Sequence, residues 1–309
     1  MIPPARLSFL NRIAALVCAA ALLSAPACLL KKKTPPEFYP YENLLTIVAD
    51  CQRFLKTDVY QYPYPVDLSG QNIFKTSLIR LANYEHLYPG RFSEIIAWVR
   101  GRLYLHLGDY AMALHNFQIV AAMKGDLAPL AEEAITTAEA FRTITEFSVQ
   151  AETPAEYLQE FDARIEALRQ LAGKLNGSDT GPLALLELEK AEVDRAVFLQ
   201  DNRHLIPDGT TRALDAWRGI IETHAASKKI QSHRLHIADF FFALAREYAS
   251  WKPPERIGFE WKVFESYAVA GRDMYYRVSI EDGYSEKLEA RGKLEAILAF
   301  MDAVREASR

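Results

Sequence analysis

Apolar residues recur with a helical period along most of the chain. Leu44, Ile47, Val48, Cys51 and Leu55 stand at i, i+3, i+4, i+7 and i+11, which is one face of an amphipathic helix. Tyr60-Gln61-Tyr62-Pro63-Tyr64-Pro65 then breaks helicity twice, and the spacing predicts a second helix from about Ile73 to Tyr88, closed by Pro89-Gly90. Thr153-Pro154-Ala155-Glu156 places a capping Thr, a Pro at the first helical position and a Glu three after the cap. The helix that follows carries Leu158, Phe161, Ile165, Leu168 and Ala172 on one face and is expected to stop at Gly173. Further helices are predicted from Gly181-Pro182 to about Gln200, from Asp208-Gly209-Thr210 to about Ala225 and from Ile230 to about Trp251, where Pro253-Pro254 forces a break. Two more run from about Arg256 to Ile280 and from Tyr284 to Glu306, the last with Leu294, Ile297, Leu298, Met301 and Val304 on one stripe. No run alternates long enough to argue for a strand. The expected class is all-α, one elongated helical domain over residues 42–309.

The N-terminus reads differently. Arg6 and Arg12 precede an unbroken apolar run from Ile13 to Leu23, too short to span a bilayer as a mature anchor. Ser24-Ala25-Pro26-Ala27-Cys28 ends it, and this resembles a bacterial lipoprotein signal whose Cys becomes the lipidated first residue, although Ala25 replaces the usual Leu. An ordinary signal peptidase could instead cut after Ala27. Residues 1–27 are thus expected to leave as a signal peptide and residues 28–41 to form a lipidated tether beginning at Cys28. Lys31-Lys32-Lys33 and the Pro-rich Thr34 to Pro40 follow it, suited to lie near anionic head groups or simply to be solvated. Cys18 leaves with the peptide, so only Cys28 and Cys51 remain and no disulfide framework holds the fold.

Within Ile95 to Gly125, the residues Gly101, Tyr104, Gly108-Asp109-Tyr110, Ala113 and Phe117 are spaced as in a tetratricopeptide repeat, a helical hairpin of about 34 residues. The physics of the spacing is readable. Gly101 admits a close helix approach, Gly108 tolerates the turn, Asp109 accepts from the next helix's free amides, and Ala113 is the matching small residue. Arg100 occupies a usual Leu position, Trp98 sits one place beyond the usual Trp, and Gly125 stands where a closing Pro is common. Phe74, Leu81, Tyr84, Leu87 and Pro89 look like the second half of a preceding repeat. The stretch is also similar to the tetratricopeptide lipoprotein of the outer-membrane β-barrel assembly machinery, which likewise follows a lipidated Cys. The resemblance implies a tetratricopeptide-like solenoid acting as a protein-protein interaction scaffold, lipid-anchored with its domain in the periplasm at the outer membrane, and binding an envelope protein or peptide. An alternative is the tetratricopeptide lipoprotein that accompanies some tripartite periplasmic solute transporters, holding a hydrophobic ligand or a solute-binding protein. With Gly101, Tyr104 and Gly108 on the packed side, the register puts Trp98, Arg102, Leu105 and His106 on the opposite face, where a partner is expected to lean on them.

Composition narrows the chemistry. With 36 basic and 40 acidic residues the net charge of -4 offers no basic surface for phosphates, so no nucleic-acid partner is expected. The recognised nucleophile, phosphate-binding, dinucleotide and zinc-protease motifs are absent, so neither an enzyme nor a cofactor is expected. His233, His236 and Asp239 share one helix side at metal-like spacing, but the bland reading is a polar stripe. No metal site is expected. Glu132-Glu133 and Glu187, Glu189 and Glu192 read as solvated helix faces. Phe240-Phe241-Phe242 with Trp261, Phe264 and Tyr267 reads as core rather than ligand pocket.

Overall fold

A computed structural model describes residues 36–57, 73–146 and 151–309. The expected signal peptide, Cys28, the lysine run and Tyr60 to Pro65 lie outside the described residues. Among the described residues there is no strand, and eleven α-helices follow one another: α1 (Tyr39–Thr57), α2 (Ile73–Leu87), α3 (Ser93–His106), α4 (Tyr110–Met123), α5 (Ala128–Thr145), α6 (Pro154–Lys174), α7 (Gly181–Asp201), α8 (Gly209–Thr223), α9 (Ile230–Trp251), α10 (Trp261–Ile280) and α11 (Glu286–Ala307). Each packs chiefly on the helix before it and the helix after it.

The core is correspondingly strung out. Leu44, Cys51 and Phe54 of α1 meet Phe74 and Leu81 of α2 and Leu103 of α3. Leu105, Ala113, Phe117 and Phe141 join α3, α4 and α5. Leu199, Trp217, Ile237 and Phe240 join α7, α8 and α9, and Phe264, Tyr275, Ile297 and Met301 join α10 and α11 with α9. Of the aromatic stretch expected to be core, Phe240, Phe241 and Phe264 are buried and Phe242, Trp261 and Tyr267 pack against the core; Phe300 is in ring contact with both Phe242 and Phe264, and Phe264 also with Trp261.

Helix ends follow local chemistry closely. Thr153 Oγ1 accepts from the Glu156 amide while the Glu156 carboxylate accepts from the Thr153 amide, a complete capping box with Pro154 at the first helical position. Several boundaries differ from expectation. α1 starts at Tyr39, inside the expected tether, because Pro40 falls in the first turn, where its missing N–H is not needed; its carbonyl accepts from the Tyr84 hydroxyl at 3.0 Å. α6 runs one residue past Gly173, to Lys174. α10 starts at Trp261, not Arg256, because the chain from Pro253 makes two turns first, Arg256 N–H to Pro253 O and Phe259 N–H to Arg256 O.

Candidate functional site

The α3–α4 hairpin is built as its spacing demands. A Cβ added at Gly101 would fall inside the van der Waals shell of the fully buried Phe117 ring, so the two helices touch where only glycine fits. Gly108 takes φ +76° in the turn, and Asp109 caps α4 by accepting from the Met112 amide at 3.0 Å. Gly125 also has a reason to stand where Pro is common. The Glu94 carboxylate of α3 lies against it and accepts from the Leu127 amide at 2.9 Å, and a side chain at 125 would displace that carboxylate.

The four residues expected to line a partner face are not gathered on an open surface. Leu105 is buried in the core shared with α4 and α5. Trp98 leans on Phe117 with ring centroids 5.4 Å apart. Arg102 donates to Asp179 at 2.9 Å, in the turn before α7, and His106 packs against Phe74. Neighbouring helices cover α3 on more than one side, so a two-sided reading of its periodicity assigns to solvent residues that a second neighbour claims.

A second polar assembly was not legible in the sequence. Glu187 and Glu189 of α7 are buried rather than solvated. Glu189 Oε1 accepts from Ser227 Oγ at 2.6 Å and is bonded to His233 Nε2 at 2.6 Å. Burial alone would raise the Glu189 pKa, but the hydrogen bonds from His233 and Ser227 with the nearby imidazoles outweigh it and hold the carboxyl below the usual glutamate range. Next to it, Glu192 Oε2 bonds His224 Nε2 at 2.7 Å. Burial lowers the Lys229 pKa and raises that of Asp194 beside this cluster. Glu189 stands between the serine and the imidazole, so no nucleophile–base pair forms, and the arrangement is a latch fastening the α8–α9 turn to α7. The expected polar stripe of α9 is likewise divided: His236 stacks on Trp217 at 5.5 Å, and Asp239 accepts from Tyr275 at 2.6 Å and Lys293 at 2.7 Å. Among the described residues no three His, Cys, Asp or Glu side chains gather as a metal site.

An accessible concavity lies between α6, α7 and α8. It is a cleft of about 430 Å³ lined by Ile165 and Ile220 with Asp162, Glu166, Arg169, Glu192, Arg195 and Asp215. Arg195 donates to Asp162 at 2.6 Å and Arg169 to Glu166 at 2.9 Å, so its charges are paired along the walls. No helix among the described residues is long and apolar enough to cross a membrane. No family model matches the chain, and no curated protein or solved structure shows significant similarity to it.

Proposed function

We propose that the protein is a lipid-anchored helical-repeat scaffold of the bacterial cell envelope, which holds a protein or peptide partner and carries out no reaction of its own. The observation that carries the reading is the α3–α4 hairpin, closed at Gly101 against Phe117 and capped by Asp109, the places where a tetratricopeptide repeat needs a small residue and a cap. Helices that pack on their sequence neighbours suit a solenoid, which presents clefts between repeats to extended partners. The cleft between α6 and α8 is the partner surface on this reading, with apolar Ile165 and Ile220 flanked by charged side chains that fix register. Cys28, after its small-residue run, is the anchor, and an outer-membrane site with the domain in the periplasm follows from the likeness to the assembly-machinery lipoprotein.

Two measurements test the parts separately. Detergent phase partition should move Cys28→Ser from the membrane phase to the soluble phase, and unchanged partition removes the anchor. Capture from solubilised envelopes should lose its co-purifying chains when the exposed cleft residues Glu166 and Asp215 are both changed to Lys, with melting unaltered. An identical captured set removes the cleft as the partner surface.

A further inference from the structure

Helix α1 has two apolar faces, and only one is used by the fold. Leu44, Ile47, Cys51 and Phe54 point into the core. On another side Tyr41 and Leu45, four apart, are 49% and 68% exposed, and Phe38, in the 3-10 turn just before α1, is 51% exposed. Tyr41 is braced by an edge contact with Phe92 at 5.0 Å, so this face is held on the body and does not trail from it. Exposed aromatic rings beside an aliphatic side chain are the composition found where a helix meets the bilayer interface, with rings at head-group level.

The chain before α1 selects the occupant. Seven residues lie between Cys28 and Pro36, and the eight steps reach at most about 28 Å when fully extended. A lipid on Cys28 therefore keeps Phe38 close to the membrane surface. That span carries Lys31, Lys32 and Lys33 and the following stretch only Glu37 and Glu42, and the cationic excess is complementary to anionic head groups. We propose that Phe38, in the turn that leads into α1, and the Tyr41 and Leu45 face of α1 rest on the anionic bilayer surface and set the orientation of the helical domain on it. The inference rests on the anchored-scaffold reading and adds a second, non-covalent membrane contact to it.

The test supplies the anchor chemically, so that a failure of natural lipidation does not enter. The mature chain is coupled through the Cys28 thiol to a maleimide lipid in vesicles of phosphatidylglycerol and phosphatidylethanolamine carrying brominated acyl chains; Cys51 is buried and does not compete. The tryptophan added by Leu45→Trp should lose emission to the bromines. That added by Ile257→Trp, in the fully exposed turn between α9 and α10, helices that do not pack on α1, should keep it. Without the anchor, vesicle binding of the Cys28→Ser chain should fall about tenfold on changing Phe38, Tyr41 and Leu45 to Ser, the loss of partial burial of three apolar side chains. Equal quenching at both positions, or none at Leu45→Trp, overturns the proposal. So does a vesicle-free dimer that Leu45→Asp dissociates, since the face would then belong to a second copy. The mass of the N-terminal peptide from native envelopes separately decides whether Cys28 is lipidated.

Discussion

Gly101 and Gly292 both lie inside helices, and alanine should act on them in opposite directions. At Gly101 the new methyl group meets the buried Phe117 ring, and overpacking of about 1–3 kcal/mol exceeds the roughly 1 kcal/mol of helix propensity gained. At Gly292, exposed within α11 with nothing near its added Cβ, the propensity gain stands alone and should stabilise by about 0.5–1 kcal/mol. Urea midpoints of the two variants check the signs, and a Gly101→Ala protein as stable as the parent would contradict the close approach. His106 gives a second residue-scale prediction. Burial, then the Arg102 guanidinium, pushes its pKa down to about 4. The unfolded imidazole protonates near pH 6.5, so the folded state is penalised as the pH falls from about 6.5 to about 4 and loses on the order of 2–3 kcal/mol over that window. Above it the contribution is complete. The stability difference between the parent and His106→Gln, followed by denaturation across this range, should change by that amount; a constant difference would show that the imidazole is not buried neutral.

At the scale of elements, helix starts with a side-chain cap were legible because the signal is local. The Thr153 box and the Asp109 cap each occupy a few adjacent residues and form as their spacing requires. α5 lacks such a cap of its own, and the carboxylate that serves its Leu127 amide comes from Glu94, 33 residues earlier. Glu94→Ala should therefore destabilise by about 1–2 kcal/mol and speed hydrogen exchange of the Leu127 amide, while Glu94→Gln, which keeps an acceptor oxygen, should cost less. Equal effects of the two changes would assign the contact a charge role instead. The start of α10 departs from its hydrophobic period for a related reason. The turns after Pro253 are followed by a Glu260 amide that donates to the Tyr248 hydroxyl, a contact across the α9–α10 connection that no periodicity records.

At the scale of the whole molecule, packing between sequence neighbours makes the core a chain of local clusters, and α7 is fastened to the α8–α9 turn by buried polar groups. Glu189→Ala would leave His233 and Ser227 facing each other without their shared acceptor. Breaking a buried pair of this kind costs about 3 kcal/mol or more. Hydrogen exchange should show the loosening concentrated in α7, α8 and the start of α9, with α1 and α2 unchanged; uniform loosening would mean that the helices unfold as one cooperative unit.

The sequence by itself determined the all-α class, most helix limits and the glycine and cap positions of the α3–α4 hairpin. Each of these depends on residues within a turn or two of one another, so hydrophobic period and capping chemistry suffice. Tertiary structure decided which side of each helix is covered. Leu105 became core and Trp98 packs against it because α4 and its neighbours claim more than one side of α3, and Arg102 was drawn to Asp179, 77 residues away. Glu189, one of several α7 acids that look solvated by spacing alone, was buried by partners 38 and 44 residues distant. A helical period reports that a face is apolar or polar. Which polar side chain finds a buried counterpart is set by the neighbour that the folded chain brings to it.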